Sequence, residues 1–527
     1  MPNSDKPREQ WGSRIGLILA VAGNAIGLGN FLRFPVQAAQ NGGGAFMIPY
    51  FIAFLLLGIP LMWIEWGIGR YGGKFRHGSA PGMFDVLWNH PLAKYLGATG
   101  LFISLTIMIY YTYIESWTLG YSIFSIFKMY FVDNPDFKNM KGFLDAYQGV
   151  SAGHGFDSIW TAYAIMLITF GINFLILYKG ISAGIEKLAK IAMPLLFIFA
   201  VILVIRVFTL GTPDPSKPEY SVWNGFAFIW NPDFSKLNDP KIWLAAAGQI
   251  FFTLSVGMGT IHAYASYLKA KDDIALSGLS TAATNEFAEV VLGGSIAIPV
   301  AVAFFGVTAT QEIAKAGAFN LGFVSMPIIF QKLPFGEFFG FIWFLLLFFA
   351  GITSSVAMGQ PIIAFLEDEF GFSRKKATIS LALFTLTCVN LVVFFFKFGF
   401  LDEMDYWAGT FGLVVFALME TILFMWVFGA DKAFDEINSG GDIKIPVIFK
   451  YIMKYITPMI LLVIMVWWLL NDAIPILLLE NLKEEELYKV PYIWGARILM
   501  LAILGIILFM IHIAWKNREM NKSMEAK

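Results

Sequence analysis

The chain has 527 residues, of which 57% are hydrophobic and 17% aromatic but only 14% charged, and its mean hydropathy is +0.67. A soluble core of this size does not need so few charges, so the composition is that of a polytopic membrane protein. The formal net charge of −1 carries no nucleic-acid signature, and a lone cysteine (Cys388) with five scattered histidines allows neither a disulfide framework nor a Cys-based metal site.

The N-terminus is polar through Ser13 and lacks the short apolar core and small-residue cleavage site of a signal peptide, so the first apolar segment is expected in the mature protein. Crossing a bilayer takes about 20 apolar residues. Twelve segments meet that requirement: 15–39, 45–70, 95–127, 159–179, 189–210, 242–268, 277–306, 337–367, 375–398, 402–429, 447–471 and 491–515. An even number puts both termini on one side. Arg14, Arg70, Lys74, Arg76, Lys179, Lys187, Lys190, Lys269, Lys271, Arg374, Lys375, Lys376, Lys516 and Arg518 all fall on that side, which the positive-inside rule makes cytoplasmic. The prediction is one transmembrane domain, 1–527, in the cell (inner) membrane with both termini cytoplasmic.

The first span contains Gly23-Asn24-Ala25-Ile26-Gly27-Leu28-Gly29-Asn30. Glycine costs roughly 1 kcal/mol relative to alanine inside a helix, and asparagine in hydrocarbon needs a partner. Two readings stand at this point: small-residue packing of the GxxxG kind, or a helix break whose free backbone groups hold an ion or polar ligand. The outer loops 128–158 and 211–241 are rich in Asp, Asn, Pro and aromatics. Residues 307–336 are half apolar but too polar to span, and they read as two short helices folded as an external lid. Span six repeats the pattern of span one, with Thr253-Leu254-Ser255-Val256-Gly257-Met258-Gly259-Thr260. A pair of Gly-interrupted spans at corresponding positions of two halves is the sequence mark of a transporter site. It favours the break over packing, and it arranges the chain as five helices (15–210) plus five (242–429), with two more at 447–515.

Other spans carry polar groups that a purely structural membrane domain rarely needs. They include Glu65, Tyr110, Tyr111 and Glu115, then Asn285, Glu286 and Glu289, then Thr353, Ser354, Ser355 and Glu420. Buried carboxylates are the most informative of these, because an unpaired one is costly at membrane depth. The oxygen-only donor set suits a hard cation. Arg33 lies one turn past the first break, too deep for a loop charge. Asp405 starts span ten, Arg8 precedes span one and Asp368 ends span eight.

The stretches GNAIGLGNFLRFP (23–35), NGGGAFMIPY (41–50), YYTYIESW (110–117), GQIFFTLSVGMG (248–259), NEFAEVVLGGSI (285–296), FFAGITSSVAMGQP (348–361) and LDEMDYWAGT (401–410) closely resemble bacterial members of the neurotransmitter:sodium symporter family over nearly the full chain. The resemblance implies an all-α membrane protein of twelve transmembrane helices, built as a five-plus-five inverted repeat with helices 1 and 6 broken. It implies two sodium sites. One takes the carbonyl of Ala25, the side chains of Asn30 and Asn285, both oxygens of Thr253 and the substrate carboxylate. The other takes carbonyls of Gly23, Ile26 and Ala350 with the hydroxyls of Thr353 and Ser354.

By the same resemblance, the substrate carboxylate meets the amides of Leu28 and Gly29 and the hydroxyl of Tyr111. Its amine meets carbonyls of Ala25, Phe252 and Thr253 and the hydroxyl of Ser255, while Asn24 holds the unwound segment in shape. Ile107, Tyr111, Phe252, Met258, Ser354 and Met358 line the side-chain pocket. Leucine-carrying members have valine, phenylalanine and isoleucine where Ile107, Met258 and Met358 stand. Methionine re-packs easily, so the expected substrate is an apolar L-amino acid (leucine, alanine or methionine-like) with broad tolerance.

The outer gate would be Arg33 with Asp405, over Tyr111 and Phe252. The inner gate would be Arg8 with Asp368, helped by Trp11 and Tyr267. Glu289 stands where chloride-dependent members have serine, so the carboxylate supplies the charge and transport is expected to be chloride-independent. The expected function is sodium-coupled symport by alternating access, with no enzymatic activity. A sodium-dependent binding protein with little turnover is the alternative, and homodimerisation is left open. A channel lacks support, because no repeated filter or charged ring is present. An intramembrane enzyme lacks an HExxH motif or a Ser/His pair.

Overall fold

The computed structural model describes residues 9–525, with side chains through residue 520. Arg8 therefore lies outside the described residues. Within them every regular element is a helix, apart from one isolated bridge between Gly153 and Phe156. Ten helices are long and apolar enough to cross a membrane, or eleven when the bent pair Arg14–Ala25 and Gly29–Gln40 is taken as one span with a 47° bend. The remaining expected span, 242–268, is split into Pro240–Leu254 and Thr260–Ala265. Neither piece crosses alone.

Burial orders these helices into a centre and a rim. The third and eighth spans, Ala93–Ile126 and Gly336–Phe370, have 89% and 83% of their apolar windows buried inside the protein. The last two, Ile448–Leu477 and Glu484–Met520, have 17% and 33%. Their exposed faces carry Leu462, Val463, Leu501 and Phe509, the composition a lipid-facing helix requires. The two broken segments therefore lie against the central pair and away from lipid, which is the only setting in which non-helical backbone is tolerated at that depth.

The stretch expected to fold as a lid holds two helices. The helix Ile274–Lys315 breaks at Gly306, where φ is 79°, and a second stretch, Ala318–Gln331, follows it. The loops 128–158 and 211–241 each hold a helix that composition alone did not reveal. Phe137–Tyr147 is capped by Asp136, whose carboxylate accepts the Asn139 amide at 2.7 Å. Val222–Trp230 is capped by Ser221, whose hydroxyl accepts the Asn224 amide at 3.2 Å. Each follows the N-cap rule that a short polar side chain satisfies an otherwise unpaired first-turn amide. On the other face, Ala430–Asn438 joins spans ten and eleven. Arg70, 1% exposed, ties this helix down by donating to Glu436 Oε1 at 2.9 Å and to the carbonyls of Asp272 and Ser439 at 2.7 Å each.

Candidate functional site

The first break is defined by backbone geometry. Ser13 caps the opening helix by accepting the Gly16 amide at 3.0 Å. The helix ends where Ile26 leaves helical geometry at φ −74°, ψ 89°. Beyond it the chain resumes as a wide π-turn over Gly29–Arg33, a form concentrated at functional sites. The amides released by the break are taken by side chains. Gly27 N–H donates to Asn30 Oδ1 at 2.9 Å, and Leu28 N–H donates to the Tyr111 hydroxyl at 3.3 Å.

The second break runs from Ser255 to Gly259. Ser255 sits in left-handed geometry at φ 54°, uncommon for a residue with a side chain. Its hydroxyl donates to the Asn24 carbonyl at 2.9 Å, and Asn24 Nδ2 donates to Thr260 Oγ1 at 3.0 Å. The two breaks are thus stitched to each other, and Asn24 is one of the stitches. Gly257 has φ 77°, and a Cβ there would lie 2.4 Å from the Leu413 carbonyl oxygen. Gly257→Ala is therefore expected to cost about 1–3 kcal/mol from backbone strain, plus the displacement of span ten. Thermal unfolding of the purified variant measures it, and an unchanged melting temperature would contradict this backbone geometry.

Two clusters of oxygen donors flank the stitched breaks. In the first, Asn30 Nδ2 donates to Thr253 Oγ1 at 3.1 Å, to Asn285 Oδ1 at 2.9 Å and to Glu289 Oε2 at 3.3 Å. Asn285 Nδ2 also donates to Thr253 Oγ1 at 3.0 Å, and Gln249 Nε2 to Glu289 Oε1 at 2.7 Å. Glu289 is on a second π-turn, Phe287–Gly293. The two turns approach so closely that a Cβ on Gly293 would lie 2.4 Å from the Asn30 carbonyl oxygen. Tyr50 donates to the neighbouring Glu286 at 3.0 Å. Ala25, the backbone member of this predicted set, is the last residue of the first helix.

In the second cluster, the Ser354 hydroxyl lies 3.1 Å from the Asn24 carbonyl, 3.2 Å from that of Ala350 and 3.5 Å from that of Gly23. The Thr353 hydroxyl lies 3.1 Å from the Ala350 carbonyl. Hydroxyl, amide and carbonyl oxygens, with Glu289 the one carboxylate bonded to Asn30 in the first set, match a hard monovalent cation better than calcium, which recruits several carboxylates. Of the predicted pocket residues, Ile107, Tyr111, Met258, Ser354 and Met358 are buried, while Phe252 is only partly so. Ser104 fixes the backbone at Met258 by donating to its carbonyl at 2.6 Å.

The gates differ in detail from the sequence expectation. Arg33 does not contact Asp405 directly. Its guanidinium lies over the Phe252 ring, 4.3 Å from the centroid, and Asp405 accepts the Tyr110 hydroxyl at 2.6 Å. Asp405 attracts Arg33 from beyond contact distance, so the aromatic face supplies the guanidinium's near partner. On the other side, Trp11 packs edge-on against Tyr264, with ring centroids 5.2 Å apart, and donates to the Tyr264 carbonyl at 3.1 Å. Tyr267 accepts from Gln360 at 2.7 Å, and Asp368 accepts the Gly78 amide at 2.7 Å. The sequence reading missed Tyr264 as the seat of Trp11. It also missed Glu186, which accepts the Gly12 amide at 2.6 Å and the Ser13 hydroxyl at 2.9 Å and so fastens the start of span one. Only a fold-level view finds such partners, because they lie more than 170 residues away in sequence.

Known proteins agree with this architecture. The chain matches the sodium:neurotransmitter symporter family over residues 8–133 and 140–519. An uncharacterized sodium-dependent transporter of Methanocaldococcus jannaschii is 35% identical over 462 residues, which are 86% of this chain and 89% of that protein. One from Haemophilus influenzae is 32% identical, covering 88% and 99%. The crystal structure of MhsT in complex with L-phenylalanine superposes with a TM-score of 0.73 at 28% identity, covering 87% of this chain and 99% of that one.

Proposed function

The chain belongs to the sodium:neurotransmitter symporter family and is a multi-pass, sodium-dependent membrane transporter, not an enzyme, and from that premise we propose that it carries apolar L-amino acids into the cell with two sodium ions by alternating access. The observation that carries this reading is the pair of breaks joined through Asn24, Ser255 and Thr260 and flanked by two oxygen clusters. The first cluster, with Ala25, Asn30, Thr253 and Asn285, takes one sodium together with the substrate carboxylate. The second takes the other sodium between the carbonyls of Gly23, Ile26 and Ala350 and the hydroxyls of Thr353 and Ser354.

A substrate carboxylate that completes a sodium site couples the two ligands by the same factor in both directions. The Leu28 amide and the Tyr111 hydroxyl, already adjacent, are placed to hold that carboxylate, together with the Gly29 amide. The substrate side chain lies against Ile107, Phe252, Met258 and Met358. The phenylalanine bound by the similar MhsT supports an apolar amino acid, and the two methionines support tolerance in its size. Arg33 over Phe252 closes the outer path, with Asp405 reinforcing it. Trp11 on Tyr264 closes the inner one, with Tyr267 and Asp368 beside it. Glu289 supplies a negative charge of its own in the sodium-bound state, so the cycle needs no chloride. The basic residues expected on the N-terminal side support cytoplasmic termini.

Uptake into proteoliposomes under an inward sodium gradient tests the proposal. Labelled leucine is expected to accumulate only with sodium, and excess alanine, methionine and tryptophan to compete. Accumulation of acidic or strongly polar amino acids alone would overturn the substrate class. Sodium-dependent binding in detergent without any uptake would mark a binder that does not turn over.

A further inference from the structure

One buried cluster is left unused by this account. Glu65 of span two, His262 in the second half of span six and Glu420 of span ten each offer a ligand atom, and these atoms lie within 4.8 Å of one another. All three side chains are 0% exposed. Glu65 is oriented by the second break, because its Oε1 accepts the Gly257 amide at 2.5 Å. Its carboxyl group also shares a hydrogen bond with that of Glu420, while neither ring nitrogen of His262 has a hydrogen-bond partner. His262 Nε2 nevertheless stands 3.2 Å from Glu420 Oε2. Among the described residues no lysine or arginine forms an ion pair with either carboxylate. Two buried carboxyl groups and an unsatisfied imidazole converging in a membrane-depth interior are costly unless something neutralises and orders them.

We propose that Glu65, His262 and Glu420 form a site for a divalent transition-metal ion of the zinc type. One imidazole nitrogen with two carboxylate oxygens is a borderline donor set, unlike the all-oxygen clusters of the sodium sites. Bonds of about 2.0–2.2 Å in a tetrahedral arrangement put ligand atoms roughly 3.2–3.6 Å apart, which the His262–Glu420 spacing already meets. A dication cancels the two carboxylate charges, which would otherwise be expensive to bury. Three protein ligands leave a fourth position for water. The ion would tie the second half of span six, four residues past Met258, to spans two and ten. It would therefore hold Gly257 to His262 in one arrangement and oppose any movement that separates His262 from Glu420.

The test uses the full-length protein in detergent, stripped with chelator and incubated with zinc chloride in sodium-containing and in sodium-free buffer. After desalting, elemental analysis is expected to find about one zinc per chain, with a raised melting temperature, because a ligand that binds only the folded state stabilises it. His262→Gln, which touches neither sodium cluster, is expected to lose both the retained zinc and the thermal shift. Cobalt(II) added to the wild-type protein is expected to give the intense visible bands of a low-coordinate nitrogen–oxygen site, a readout that does not depend on any variant folding. Zinc retention near zero in both buffers would overturn the proposal and leave protons shared between the carboxylates as the neutralising species. Equal retention by wild type and His262→Gln would also overturn it.

Discussion

Replacing Asn30 with leucine is expected to abolish sodium-stimulated substrate binding while leaving the helical frame folded. Leucine has nearly the shape of asparagine, so the close packing against Gly293 survives. What disappears is the hub. Asn30 Nδ2 serves Thr253, Asn285 and Glu289, and Asn30 Oδ1 serves the Gly27 amide inside the break. Each buried polar group left unsatisfied costs about 1–3 kcal/mol. Loss of the Gly27 bond falls on the conformation of 26–28, whose carbonyls and amides are the proposed ligands. Two such losses already amount to about a hundredfold in affinity. Titrating sodium against labelled leucine, alongside a melting curve, separates the two effects. A variant with near wild-type sodium dependence would remove Asn30, and with it the first cluster, from the proposed coupling.

The sequence made the breaks legible because glycine and asparagine inside an apolar segment contradict the helix they interrupt, and the contradiction occurs twice in register. The long-range partners were only partly legible. Thr353 and Ser354 could be matched to Gly23 through family resemblance, and the structure brings them together. Arg33 illustrates the limit. Its depth in span one marked it as functional, yet a list of charges suggested a carboxylate partner, and the near contact is the face of Phe252. Cation–π pairs leave no charge pattern to read. The cluster of Glu65, His262 and Glu420 was visible only as two separate membrane-depth carboxylates and one of five scattered histidines, because nothing in spans two, six and ten announces that they meet. The helices Phe137–Tyr147 and Val222–Trp230 were readable in principle from Asp136 and Ser221 as caps, but a composition rich in Asn, Asp and Pro outweighed that local signal.

Glu289→Ser is expected to turn transport from chloride-independent to chloride-stimulated. Glu289 is 0% exposed, and its oxygens are held by Gln249 and Asn30, with Asn285 and Thr253 in the same network. An ionised carboxylate in that place supplies a negative charge beside a site proposed to gather cations, and opposite charges at short range in a poorly screened interior attract strongly. Serine removes the charge, shortens the side chain and leaves amide and hydroxyl donors facing the freed space, which is the chemistry a small anion needs. Without chloride, sodium-driven leucine uptake by the variant should fall at least about tenfold, equivalent to roughly 1.4 kcal/mol of lost stabilisation. Chloride should restore it, and gluconate should not. Glu286→Gln is the discriminating control. Glu286 accepts from Tyr50 and also pairs with Asn285, whereas the bonds of Gln249 and Asn30 go to Glu289, so its loss should leave uptake insensitive to chloride. If Glu289→Ser stays chloride-insensitive while Glu286→Gln becomes chloride-stimulated, the compensating charge belongs to Glu286, and the geometry at Asn30 has been assigned to the wrong carboxylate.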